Sequence, residues 1–91
     1  MNHQPTSTMQ VGIFSLGLEP APVKEGVVVP IGTLSFTVRA HPSNADSIIV
    51  DGAPLQPGES MDLTTQRFSR ADAKALSEGD RLVVTALVPM S

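Results

Sequence analysis

The sequence contains no cysteine, no tryptophan and no tyrosine. Without cysteine the domain has neither disulfide bonds nor a thiolate zinc site, and two histidines, His3 and His41, are too few for an imidazole-rich metal site. Small folds without these supports are commonly stabilised by oligomerisation or by docking onto a larger assembly. We therefore expect no cofactor and no metal ion, and we expect association with other chains.

Aromatic and basic residues are also scarce. Three phenylalanines are the only aromatic residues, so the chain lacks the platforms on which bases of single-stranded nucleic acid stack. The six basic residues are scattered singly along a chain with a formal net charge of −3, which leaves no basic patch for a phosphate backbone. We expect no nucleic-acid partner.

Long hydrophobic runs are missing as well. The apolar stretch 11–18 is too short to span a bilayer and contains Gly12, Ser15 and Gly17. The first ten residues lack the positively charged start of a signal peptide. These features predict no membrane association, and a protein that is kept in the cytoplasm until it is assembled into something larger.

Catalytic and metal-binding motifs are not recognisable in the sequence. A nucleophilic hydroxyl needs a base within hydrogen-bond distance, and the candidate base His41 stands directly before Pro42 in a predicted turn. Asp46 and Asp51 flank the apolar run 47–50 and lack the close ligand spacing of a calcium loop. We predict that the protein is not an enzyme and that it works by binding other proteins.

What the sequence does contain is a series of short apolar segments between turns that are rich in glycine and proline. Asp51-Gly52 and Pro57-Gly58 predict two of these turns, the second of type II with a positive φ at Gly58. Together the pattern predicts an all-β fold, a small β-sandwich or barrel. Strands are predicted at residues 10–18, 26–30, 33–40, 47–50, 60–65 and 81–88. We place in one core Leu34, Phe36, Val38, Met61, Leu63, Leu82 and Val84.

One short helix is predicted near residues 70–77. Ser69 is a good N-cap residue, Asp72 would lie near the positive end of the helix dipole, and Gly79 could end the helix in the left-handed conformation. A helix of about two turns is too short to be stable alone, so it should pack against the sheet.

Three parts of the sequence could contact a partner: the polar start of the chain, two strands that are apolar on both faces, and Arg39. The polar segment 1–10 has the composition of a flexible arm, which leaves one β domain at residues 11–91. Segments 11–18 and 81–88 are apolar on both faces, so either both strands are covered within the domain or one outer face contacts another subunit. Arg39 could pair with an acidic partner residue or serve as a solvated residue that prevents sheet pairing. The candidate interface residues are Met9, Val11, Ile13, Arg39, Val83 and Leu87.

The stretch 33–63 resembles a pattern found in small structural proteins of tailed bacteriophages. A strand at 36–40 is followed by a Pro-Ser-Asn turn at 42–44, by Ile-Ile-Val-Asp-Gly at 48–52 and by Leu-Gln-Pro-Gly-Glu-Ser at 55–60. The family pattern has glycine directly after the valine, whereas Asp51 intervenes here.

The resemblance implies a β-sandwich decoration, fibre-base or tail accessory protein without catalytic residues. On this basis we expect a virion structural protein, foremost a capsid decoration (cement) protein that is assembled into the virion in the host cytoplasm. It would bind the major capsid protein or other virion proteins as a symmetric homo-oligomer, with a trimer favoured. The alternatives are a cytoplasmic protein-binding adaptor or inhibitor, and a phage tail or fibre accessory protein.

Overall fold

The computed structural model describes residues 5–90, which form two antiparallel four-stranded sheets around one apolar core. The elements in chain order are β1 (Thr6–Ser15), β2 (Ala21–Pro22), β3 (Ser35–Ala40), β4 (Ile48–Val50), β5 (Ala53–Leu55), β6 (Ser60–Thr64), α1 (Thr65–Phe68), β7 (Asp72–Ala75) and β8 (Arg81–Pro89). The strand orders are β1-β8-β3-β6 and β2-β7-β4-β5. The predicted all-β fold is confirmed, and of the two expected architectures it is the sandwich.

Alternation of side chains along each strand places one face of each sheet in the core. In β3, Phe36 and Val38 are buried while their neighbours lie on the outer face, and β8 alternates in the same way. The prediction that Leu34 lies in the core is wrong, because its side chain is 54% exposed. Leu34 precedes β3, and the pairing of β3 with β6 begins only at Ser35. Met61 is partly buried against the core, and the remaining predicted core residues are buried.

The helix predicted near residues 70–77 is wrong in position. The helix α1 lies earlier in the chain, where Thr64 Oγ1 accepts a hydrogen bond from the Arg67 N–H at 3.1 Å. Residues 70–77 instead contain β7, in which Ala73 and Ala75 are buried. In this segment alanine alternates with polar residues, which suits a strand. As a strand, β7 forms hydrogen bonds with both β2 and β4, whereas an isolated two-turn helix would form few hydrogen bonds.

The polar N-terminal segment is part of the first sheet. Residues 6–10 continue β1 and pair with residues 85–89 of β8, so the boundary predicted at residue 10 does not divide an arm from the domain. A long neighbouring strand satisfies the backbone groups on one side of this segment whatever its side chains are. Residues 1–4 of the predicted arm lie outside the described residues.

The strand predicted at residues 26–30 is also wrong, because residues 26–34 form a loop. Gly26 and Gly32 have φ angles of 78° and 82°, and Pro30 has no N–H to donate to a neighbouring strand. The loop begins against the inner side of β1, where a Cβ on Gly12 would come within 3.1 Å of Val27 Cγ2.

Both predicted turns are present. Asp51 and Gly52 have φ angles of 53° and 81° and connect β4 to β5 as a tight hairpin. Gly58 has a φ of 88°, as a type II turn requires, and the Glu59 N–H donates to the Gln56 carbonyl at 2.8 Å.

The domain is elongated, with extents of 46 × 22 × 19 Å. Strands of nine or ten residues, the lengths of β8 and β1, span about 30 Å. Since this exceeds both shorter dimensions, β1 and β8 run along the long axis. The two ends of the molecule are therefore far apart.

Candidate interaction surface

Four of the six predicted interface residues share the outer face of the first sheet. Val83 of β8 pairs with Ile13 of β1 on one side and with Arg39 of β3 on the other. These three residues therefore form one row across the sheet. Leu87 lies further along β8 on the same face, opposite Thr8 of β1. The structure therefore brings together four of the six candidate interface residues.

The other two predicted residues, Met9 and Val11, do not belong to that face. The register between β1 and β8 shifts between Gln10 and Gly12, which places Val11 in a β-bulge where it packs against the core. Met9 pairs with the buried Ala86 and lies on the inner side of the sheet, where it is 48% exposed.

Arg39 has a contact within the chain. Its Nε donates a hydrogen bond to the Gly58 carbonyl at 3.2 Å, which links β3 to the Pro57-Gly58 turn while the side chain stays exposed. The guanidinium group has five donors, so this bond uses one of them. Beside it, Thr37 donates to Asp62 Oδ1 at 2.8 Å. Arg39 therefore stabilises the turn and can still meet a partner carboxylate.

The most exposed apolar cluster was missed by the sequence analysis. In the loop 26–34, which we call the apolar loop, Val28 is 81% exposed and Ile31 is fully exposed, at 101%. Val29 and Leu34 are about half exposed. A valine run resembles a buried strand, and the signal against that interpretation was Pro30 followed by Gly32. Exposed apolar clusters of this kind mark interaction surfaces in soluble domains.

Three segments without charged residues meet at the same end of the molecule. Residues 1–18, 26–38 and 82–91 contain no Asp, Glu, Lys or Arg. Residues 6–10 pair with residues 85–89, the Leu34 N–H donates to the Leu87 carbonyl, and a Cβ on Gly32 would lie 3.4 Å from Pro89. These contacts bring three uncharged segments together. We call the assembly of residues 6–10, 28–34 and 86–90 the charge-free end.

A groove lies between the apolar loop and α1. Its lining includes Val29 and Pro30 from the loop, Thr65 from the helix, and the rings of Phe36 and Phe68. The two rings stack with a centroid distance of 3.8 Å. The groove has the chemistry to accept an apolar side chain from another protein.

The opposite end of the domain is held by polar contacts to the backbone. Asp80, which is only 8% exposed, accepts hydrogen bonds from the N–H groups of Ala45 and Asp46 at 3.0 and 2.9 Å. The side-chain amide of Asn44 both donates to the Arg81 carbonyl and accepts from the Arg81 N–H, at 2.8 and 2.7 Å. These side chains fasten the loop before β4 to the start of β8.

His41 and Ser43 form the one serine–histidine contact that the described residues contain. His41 Nδ1 accepts the Ser43 N–H at 3.1 Å and lies 2.7 Å from Ser43 Oγ, which also accepts from Arg81 at 3.1 Å. A catalytic serine needs its base to be oriented by a third group and needs donors for an oxyanion. Both hydrogen bonds of this ring go to Ser43. We interpret the cluster as a turn that contacts β8.

Residues 5–90 contain no group of three His, Cys, Asp or Glu side chains that could hold a metal ion. In the same range, no helix has the length and apolar character needed to cross a membrane.

No protein-family model matches the chain, and searches of curated proteins and of solved structures found no match.

Proposed function

We propose that the protein is a structural component of a bacteriophage particle, of the capsid decoration type, that binds major capsid or other virion subunits as a symmetric oligomer. The observation that carries the proposal is the exposed apolar loop at the charge-free end. The resemblance of residues 33–63 to small virion proteins supports the same role.

The apolar loop has the chemistry of a lasting interface. Burying a valine or isoleucine side chain contributes about 1.5–3 kcal/mol, and both Val28 and Ile31 are available for burial by a partner. Interfaces of permanent complexes are more apolar than those of transient ones, and their centres are depleted of charge. A surface that combines apolar exposure with the absence of charge therefore fits a subunit that stays bound.

The groove beside the loop supplies a specific point of attachment. An apolar side chain of a capsid subunit would enter between Val29 and Thr65 and contact the rings beneath them. Lys24 also lines this groove and is its one charged residue, while the other charged residues lie outside the groove and the charge-free end. This arrangement binds through one end and keeps the outer end hydrated.

Attachment to particles tests the proposal. Mass spectrometry of particles purified from the source should find the chain in fixed stoichiometry, and recombinant protein should rebind to particles that lack it. Ile31→Ser should weaken rebinding at least about tenfold, because one buried apolar side chain is worth more than 1.4 kcal/mol. Its melting temperature should stay unchanged, because Ile31 is fully exposed in the free chain.

Leu18→Ser is the matched control. Leu18 is 55% exposed and follows β1 at the opposite end of the domain, so its replacement should leave rebinding unaltered. Equal losses for the two variants would contradict the assignment of the surface. A soluble one-to-one complex with a single cytoplasmic protein, with no copies in particles, would indicate the adaptor or inhibitor instead.

A further inference from the structure

The edge strands of the two sheets differ in how they are protected against pairing with another chain. In residues 5–90, β2 has two residues and includes Pro22, β5 has three and includes Pro54, and β6 carries Asp62 and continues directly into α1. Short length, proline and charge are the usual devices that keep a sheet edge from pairing. The remaining edge strand, β1, has ten residues with neither a charge nor a proline, and its one irregularity is the bulge after Gln10.

The hydrogen-bond pattern shows which backbone groups of β1 point away from the sheet. The Met90 N–H donates to the Pro5 carbonyl at 2.9 Å, so the odd-numbered residues 5–9 direct their backbone groups toward β8. The even-numbered residues 6–10 therefore direct theirs to the open edge. Within the described part of the chain, no loop or turn forms a backbone hydrogen bond to that edge.

We propose that β1 pairs with β1 of a second copy of the chain, antiparallel and about a two-fold axis at Thr8. The regular stretch 6–10 ends at the bulge, and Thr8 is its midpoint. Thr8 then lies opposite Thr8 of the partner subunit, and Thr6 lies opposite Gln10 of the partner subunit. The first sheets of the two copies join into one sheet of eight strands.

The charge distribution favours a second copy over an unrelated strand. Residues 1–18 contain no charged residue, so the two identical strands meet without opposing like charges. The even-numbered residues of the stretch are Thr6, Thr8 and Gln10, and cross-strand threonine pairs stabilise antiparallel strands. The antiparallel contact is two-fold, so it gives a dimer and not the trimer favoured from the resemblance. It forms in the isolated protein, independently of any role in a virion.

Blocking the open edge tests the proposal in the full chain. Thr8→Pro removes an N–H that β8 does not use, and Thr8→Lys places two like charges opposite each other across the axis. Wild type should sediment as a dimer whose population rises with concentration. Each variant should raise the dimer dissociation constant by at least about tenfold, because in a two-fold dimer the substitution is present on both strands of the interface. Thr85→Lys, at an outer-face position on the interior strand β8, should dimerise like wild type.

A cysteine variant tests the register, since the natural chain has no cysteine. Hydrogen-bonded partners in antiparallel strands have Cα atoms about 5.5 Å apart, within the range of a disulfide bond. Thr8→Cys should therefore form a covalent dimer on mild oxidation, and Thr85→Cys should not. Sedimentation as a monomer at every concentration, failure of Thr8→Cys to cross-link, or an oligomer unaffected by Thr8→Lys would overturn the proposal. Circular dichroism of each variant shows whether it has folded.

Discussion

The rings of Phe36 in β3 and Phe68 in α1 stack with their centroids 3.8 Å apart and their planes 11° apart. Both side chains are almost completely buried. A helix of four residues is not stable through its own hydrogen bonds, so this contact is what holds α1 on the sheet. The same contact forms the floor of the groove beside the apolar loop.

Removing one ring should therefore be costly. We expect Phe68→Ala to lower the free energy of unfolding by about 3–5 kcal/mol, a large share of the roughly 5–15 kcal/mol of a typical domain. Phe14→Ala should cost less, since Phe14 is only partly buried. Urea denaturation measures both. Equal losses would mean that the stacked pair has no special place in the core.

Gly58 should tolerate only residues that accept a positive φ. A Cβ at Gly58 would meet nothing within 4 Å, so the cost of replacement is conformational and not steric crowding. Gly58→Val should destabilise by about 2 kcal/mol, Gly58→Asn by much less, and the neighbouring exposed Gln56→Val by under about 0.5 kcal/mol. Thermal melting of the three variants checks this order. An unchanged melting temperature for Gly58→Val would show that the turn relaxes to another type.

Asp80 should matter far more than a neighbouring exposed carboxylate. Asp80→Ala leaves the N–H groups of Ala45 and Asp46 without their acceptor, at an expected cost of about 2–4 kcal/mol. Asp80→Asn keeps one acceptor oxygen and should lose about half as much. Glu78→Ala, two residues away and exposed, is the control and should be neutral. A neutral Asp80→Ala in denaturant titration would contradict this role.

The ion pair between Arg67 and Asp51 should contribute little. Arg67 Nε lies 2.7 Å from Asp51 Oδ2, but the two side chains are 46% and 40% exposed. A double-mutant cycle with Arg67→Ala and Asp51→Asn should give a coupling energy of about 0.2–1 kcal/mol that falls further in about 1 M salt. Asparagine is chosen because it accepts the left-handed conformation of Asp51, whose φ is 53°. A coupling that salt does not reduce would contradict a screened surface pair.

The strands could be predicted where apolar and polar residues alternate along the segment and the fold supplies a neighbouring strand to pair with it. Apolar and polar residues alternate with period two in segments 33–40 and 60–65. These segments contain β3 and β6, which lie next to other strands in the first sheet. Residues 70–77 carried two signals, helix caps and an alternation of alanine with polar residues. Pairing with two strands decided between them, and such pairing is a property of the whole fold.

The candidate surface could be predicted only in part. Val83 and Leu87 share one face, as alternation along a regular strand predicts, whereas the position of Ile13 beside Val83 depends on the register between β1 and β8. The bulge after Gln10 adds one residue to β1 and moves Met9 to the other face, and the one sequence signal for it is the isolated Gly12 within the strand. The apolar loop was missed because exposure of valine and isoleucine contradicts their usual burial.

The hydrogen bond between Met90 and Pro5 has a consequence for the order in which the chain folds. It places the two ends of the described chain side by side, while β1 and β8 are separated by most of the sequence. A circular permutant that joins these ends by a short linker and opens the chain between the exposed Leu18 and Glu19 would turn β8 and β1 into a hairpin. The most distant pairing of the native chain would become a local one, and the contact order would fall. Folding should then be faster, although the final contacts are the same.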